Sequence, residues 1–293
     1  MPDASKVRKA PWRARLKLWR PVAVVLVLLA GVNLLPPDTA LAEVRRTGTL
    51  RACLPTEYPP LVTTDAARPG LEVEMLQEMA RRMELRLALN ANSSMGRDIN
   101  PRNWRLTRAQ CQIIAGGILA TNATRSYLDT TVPHLEVGWA VINPQGQAKG
   151  LEGTKVGFFA GFSGFDRIAL GRYLRAAGAT VTVINSRAAF EQGLKDGAFD
   201  IGITESLGAR QIAGVHGWPV QWLSPSLGNV PLALGLWKGD LTLKRAFQKA
   251  LDGMQADGTL DALRAKYELD QDISGFFSNE PGAAATADAT TQQ

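Results

Sequence analysis

Short apolar runs that stop at turns, separated by stretches with helical spacing, constrain this chain more than any other feature. Leu50–Leu54 is such a run and stops at Pro55 and Pro59-Pro60, as a buried strand entering a loop does. Leu71–Leu85 then sets Leu71, Met75, Leu76, Met79, Ala80 and Met83 on one helical face, directly after Gly70. Leu85–Leu89 reads as a second strand and Asn90–Arg105 as a long polar loop. Cys111–Ile114 reads as a third strand that runs into a turn at Gly116-Gly117. The order then recurs. Strand Lys155–Phe159 leads through a turn at Gly161–Gly164 to a helix over Phe165–Ala177; strand Val181–Ile184, helix Ala188–Asp196 and strand Phe199–Thr204 follow, with Glu205 at the strand end. Leu243–Met254 and Leu260–Tyr267 make a last helical stretch, broken at Asp257-Gly258. This alternation predicts parallel sheets flanked by helices. Its recurrence over 47–140 and 152–225 predicts two α/β lobes.

The first forty residues do not fit that pattern. Lys6, Arg8, Lys9, Arg13, Arg15, Lys17 and Arg20 precede an apolar run from Val22 to Leu35, which Pro36 and Pro37 end before Ala40-Leu41-Ala42. Basic region, short apolar region and small-x-small site read as a secretory signal peptide over 1–42, cleaved after Ala42, and so as export to the periplasm. The competing reading is a retained anchor, for which the run is shorter than the ~20 apolar residues of a membrane span. The whole chain carries 33 basic and 27 acidic residues, a net +6. Without residues 1–42 it has 26 basic and 25 acidic, a net +1. The excess positive charge is therefore mainly in the leader, and nucleic-acid binding is not expected. Cys53 and Cys111 are the two cysteines. An oxidising compartment makes a disulfide the expectation for an even count, with two separate buried thiols as the alternative. Residues 273–293 include a small, polar, aperiodic stretch from Pro281 onward and are expected to be a disordered tail.

Ligands of open parallel sheets collect outside the carboxyl ends of the strands. That rule nominates the loop after Cys53, the Gly116-Gly117 turn, the Gly161–Gly164 turn and the end of Phe199–Thr204. Arg125, in Thr121-Asn-Ala-Thr-Arg-Ser-Tyr-Leu-Asp, could grip a carboxylate through two parallel hydrogen bonds. It could equally be an exposed helix arginine paired with Asp129 at i,i+4. Ser163 opens a predicted helix, where free N–H groups favour an anion, or merely caps it. Glu205 would suit an ammonium group, or is a solvated loop acid. Catalytic patterns are scarce: His134 and His216 are the two histidines, neither set beside an acid at ligand spacing, and no H-E-x-x-H, G-x-S-x-G or phosphate-loop pattern occurs. Both histidines read as structural, no metal or cofactor is implied, and an enzyme is not expected. Trp104, Trp139, Trp218, Trp222 and Trp237 are scattered rather than striped, so most read as core or hinge packing, with a wall of the ligand site as the alternative for one of them.

Six segments in order resemble the family 3 bacterial extracellular solute-binding proteins, the amino-acid-type receptors of ABC transporters. They are Gly48-Thr-Leu-Arg-Ala-Cys-Leu-Pro-Thr-Glu-Tyr-Pro-Pro, Gly70-Leu-Glu-Val-Glu-Met-Leu-Gln-Glu-Met-Ala, Thr124-Arg-Ser-Tyr-Leu-Asp-Thr-Thr-Val-Pro, Gly153-Thr-Lys-Val-Gly, Phe199-Asp-Ile-Gly-Ile-Thr-Glu, and Asp257-Gly-Thr-Leu with Lys266-Tyr267. The resemblance implies a two-lobed type II periplasmic-binding fold with mainly parallel sheets, a cleft between the lobes and hinge closure on the ligand. It implies lobe 1 from 43–142 and 230–272, lobe 2 from 143–229, a monomer, and ABC transporter membrane subunits as partners. By position, Arg125 matches the arginine that holds a ligand α-carboxylate and Ser163 the hydroxyl that assists it. Glu205 matches the acid, usually aspartate, that takes the α-ammonium, and Tyr58 lies near the aromatic that covers the ligand. Gly117 and Phe162 line the same site. Phe162 replaces a hydroxyl residue of the family, and Gly116-Gly-Ile-Leu-Ala replaces a serine- or threonine-rich stretch. Cys53 and Cys111 resemble a branch associated with periplasmic quinoprotein dehydrogenases, in which first and third strands are neighbours and a bridge between them is reasonable. That branch implies an accessory or sensory role as a second reading, and dehydratases among the relatives imply a third.

Overall fold

The computed structural model describes residues 21–28, 38–95, 101–146, 148, 150–161, 165–270 and 273–277. Residues 1–39 form a unit of their own, in which 21–28 are helical with exposed valines and leucines. Positions 1–20 and 29–37 of the expected leader lie outside the described residues, and no helix among those described is long and apolar enough to cross a membrane.

In the unit from Ala40 onward the strands are β1 (Thr49–Leu54), β2 (Arg86–Ala91), β3 (Ile113–Leu119), β4 (Leu128–Thr130), β5 (Leu135–Val137), β6 (Trp139–Ile142), β7 (Lys155–Phe159), β8 (Thr180–Ile184), β9 (Ile201–Glu205), β10 (Val220–Trp222) and β11 (Val230–Trp237). The helices are α1 (Ala40–Thr47), α2 (Leu71–Arg82), α3 (Asn122–Arg125), α4 (Arg167–Ala176), α5 (Arg187–Lys195), α6 (Ser206–His216), α7 (Leu241–Ala256) and α8 (Thr259–Lys266). The expected cleavage point after Ala42 falls within α1.

Two sheets form. The first has the order β2-β1-β3-β11-β4, with β5 also on β11; the second has the order β10-β6-β9-β7-β8. The expected parallel pairing holds for β2-β1-β3 and β8-β7-β9. Every other pair is antiparallel, because β6 and β11 are the strands on which the chain crosses between sheets and each enters against the local direction. The sheets are thus mixed rather than mainly parallel. The first crossing runs through Gly138, between β5 and β6, so β6 (139–142) pairs in the second sheet although the expected lobe boundary follows it. The second crossing runs from β10 to β11. Residues 273–277, expected within the tail, bond to β10: Trp222 N donates to Gly275 O at 3.1 Å and Phe277 N to Trp222 O at 2.7 Å. Residues 278–293 lie outside the described residues.

Amphipathic spacing explains the layering. Leu71, Met75, Leu76 and Met79 of α2 and Leu243, Phe247, Leu251 and Met254 of α7 are buried in the core that holds the first sheet. Their burial contributes roughly 1.5–3 kcal/mol per side chain. Phe190, Phe199 and Ile212 fill the space behind β6 and β9 in the second sheet. Helices α4 and α5 start where Asp166 and Ser186 accept hydrogen bonds from the N–H groups of Ala169 and Ala189.

The Gly116-Gly117 turn of the sequence reading is instead the middle of β3, which continues to Leu119. Gly116 has φ 89°, and a Cβ there would lie 2.0 Å from Pro55 Cδ, so the strand passes Pro55 only with glycine. Across from it, the register with β11 shifts between Ala233 and Gly235, as at a β-bulge.

Candidate functional site

Glu205 is the last residue of β9 and the residue before α6. Its carboxylate accepts from Leu207 N at 2.7 Å and Gly208 N at 2.6 Å, closing the amino end of the helix. The sequence offered either a ligand contact or a solvated acid; the side chain is neither exposed nor free, with only 2% of the residue accessible. Gly161, at the end of β7, has φ 58°, and a Cβ there would sit 2.4 Å from Glu205 Cγ, so glycine makes room for the longer acid. Burial pushes the Glu205 carboxyl up to about 7, against the opposing pull of the Gly208 and Leu207 N–H groups, the Tyr58 hydroxyl and the Arg187 charge.

Tyr58 arrives from the first sheet. It stands in the loop after β1, in a turn closed by Tyr58 N on Val62 O at 2.7 Å. Its hydroxyl donates to Glu205 Oε1 at 3.1 Å, which ties the carboxyl-edge loop of one sheet to the strand end of the other. Burial, and then the neighbouring Glu205 charge, hold the phenol well above its usual range. A carboxylate has about four acceptor positions; three of them are used by the described residues.

The other expected residues divide. Arg125 ends α3, which Thr121 caps, and its side chain is exposed. The alternative pairing with Asp129 does not form; Asp129 lies 3.9 Å from Lys244 Nζ, and Arg125 makes no ion pair among the described residues. Gly117 sits in the β3 bulge, with its N–H 3.4 Å from Glu72 Oε2. Phe162 and Ser163 lie outside the described residues. Cys53 and Cys111 are joined as a disulfide with Cα atoms 5.5 Å apart, between β1 and the residues entering β3, and Trp237 Nε1 donates to Cys111 O at 2.7 Å.

Two groups near these loops went unnoticed in the sequence. Arg187 begins α5 directly after β8, is held by Gln211 at 3.0 Å, and lowers the pKa values of both Tyr58 and Glu205 by its charge. The strand-end rule applied to Ile184 would have found it. Glu72 lies on α2 and is fully buried; its carboxylate receives the N–H of Gly116 and faces His134 Nε2 at 3.1 Å. A buried acid on the core side of an amphipathic helix has no signal in spacing alone. His134, read as structural, is this buried partner, and His216 likewise pairs with Glu191 at 2.8 Å.

Two mixed sheets, joined by two crossings and tied at their facing loops, define a two-lobed α/β binding protein. Residues 50–270 match the model of the bacterial extracellular solute-binding proteins, family 3, and the chain belongs to that family. It is 24% identical to the L-cystine-binding protein TcyJ of Escherichia coli K12 over 261 residues, 84% of this chain and 92% of the relative. Among solved structures it is similar to the ancestral amino acid-binding protein AncCDT-1, a precursor of cyclohexadienyl dehydratase, with 21% identity, a TM-score of 0.61, and coverage of 78% of this chain and 98% of the other. An ancestral arginine-binding protein bound to arginine superposes with a TM-score of 0.56 at 22% identity, covering 75% and 98%. A Streptococcus pneumoniae ABC uptake transporter substrate-binding protein with bound histidine gives 0.61 at 15% identity, covering 81% and 98%.

Proposed function

We propose that this chain is an exported receptor that closes its two lobes around a small carboxylate-bearing ligand, an amino acid or a relative, and delivers it to ABC transporter membrane subunits. The observation that carries the reading is the Tyr58–Glu205 hydrogen bond, which marks the line along which the lobes meet. In this reading Arg125 clamps the ligand carboxylate with help from Ser163, and Glu205 takes an ammonium. Tyr58 covers the ligand, and Gly117 and Phe162 line the space. Membership of a solute-binding family supports the class of activity, and the amino-acid ligands of the similar proteins support the class of ligand.

The test is a thermal-shift screen of amino acids, keto acids and small dicarboxylates, followed by titration calorimetry on each hit. A ligand at ~100 times its dissociation constant adds about 2.7 kcal/mol of stability. Arg125→Ala should weaken binding by about 3 kcal/mol, since a desolvated carboxylate loses its charged partner. A loss below about 1 kcal/mol removes Arg125 from the site.

The disulfide supports a second reading, an accessory or sensory protein of a periplasmic quinoprotein dehydrogenase. A chain that melts cooperatively and ignores the whole ligand panel, yet co-purifies with such an enzyme, would put this reading first.

A further inference from the structure

The second sheet ends at β8, and this edge differs from the others. On the first sheet, edge strand β2 carries Arg86, and β4 and β5 carry Asp129 and Glu136. On the second sheet, β10 is covered by residues 273–277. Charge and cover are the two usual protections against edge-to-edge pairing. β8 has neither: from Ala179 to Ser186 the sequence is Ala-Thr-Val-Thr-Val-Ile-Asn-Ser, without a charge or a proline, and among the described residues β8 pairs with β7 alone. Val181 is 39% exposed and Val183 64%. They stand in register with Val156 and Phe158 of β7, both buried, so the apolar face of the sheet continues past the last strand into solvent.

The backbone of β8 is set for a partner. Thr180 donates its N–H inward, to Thr154 O at 2.9 Å. Alternation along the strand then turns the N–H and C=O groups of Val181 and Val183 outward, away from β7. The strand is also self-complementary. Laid antiparallel on itself about Thr182, it places Val181 opposite Val183 and Thr182 opposite Thr182, and the outward groups of the two valines meet as hydrogen-bonded pairs. A surface that matches itself in this way is what a twofold interface requires. Valine–valine and threonine–threonine pairs are both favourable across antiparallel strands.

We propose that β8 is the pairing edge for a second copy of this chain, the two five-stranded sheets joining antiparallel about a twofold axis at Thr182.

Sedimentation of the purified protein from micromolar to sub-millimolar concentration is expected to give a monomer–dimer equilibrium. Val183→Lys, at an exposed position, should leave the melting curve of the dilute monomer in place and abolish the dimer. Thr182→Cys should form an intermolecular disulfide on mild oxidation, because that pair lies on the axis and the two native cysteines are already joined to each other. A chain that is monomeric throughout overturns the proposal, and so does a dimer that survives Val183→Lys and fails to cross-link through Thr182→Cys.

Discussion

At the scale of single residues, Glu205 is an acid buried at the end of β9, where it closes the amino end of α6. Glu205 has a folded-state pKa of about 7 against an ordinary value of 4.5, raised chiefly by burial. For a raised acid the sign is fixed: the folded state holds the proton more tightly, so the contribution to stability is complete below pH ~4.5 and is lost as pH rises through ~7. The shift corresponds to roughly 3 kcal/mol across that window at 1.36 kcal/mol per pH unit. Urea unfolding at pH 5 and pH 7.5 should therefore show a fall in stability for the native chain and a flatter profile for Glu205→Gln. An identical slope in both proteins would place the titration elsewhere. Gly161→Ala belongs beside this: its Cβ would meet Glu205 Cγ in a left-handed backbone conformation, and a loss of about 1–3 kcal/mol follows from strain of that kind. A melting temperature equal to that of the native chain would sink that account.

At the scale of elements, the bulge in β3 depends on a helix. Glu72 of α2 receives the N–H of Gly116 and faces buried His134, so three segments distant in sequence share one carboxylate. Glu72→Ala leaves the buried amide and the imidazole without that partner and should cost about 1–3 kcal/mol for each group left unsatisfied. A cost within about 0.5 kcal/mol, typical of surface changes, would mean that the bulge holds itself. The disulfide acts on the same sheet. Cys53 and Cys111 are 58 residues apart, and the chain-entropy model assigns such a loop a stabilisation of about 4 kcal/mol at most. Paired replacement by alanine should lower the urea midpoint and raise its slope, because the unfolded chain freed of its cross-link exposes more surface; an unchanged midpoint would mean that the bridge adds no stability.

At the scale of the whole molecule, the Tyr58–Glu205 bond joins loops from both sheets. One such hydrogen bond contributes about 0.5–1.5 kcal/mol, enough to bias a hinge and too little to lock it. Tyr58→Phe should shift the ligand-free chain toward a more open arrangement, seen as a larger radius of gyration in solution scattering, and a saturating ligand should reverse it. Equal radii for the native chain and the variant without ligand would mean that other contacts set the lobe separation.

The local and the long-range were legible to different degrees. Strands β1, β7 and β8 and helices α2, α4, α5, α7 and α8 could be read directly, because side-chain periodicity is written along the chain and burial enforces it. Glu205 could be found at a strand end for the same reason. Three things depended on tertiary structure. The antiparallel crossing strands follow from where the chain re-enters each sheet, the continuation of β3 through two glycines follows from Pro55 and Glu72, and the tie between Tyr58 and Glu205 joins residues 147 positions apart. No local pattern encodes such contacts, since each depends on which surfaces the packed core brings together.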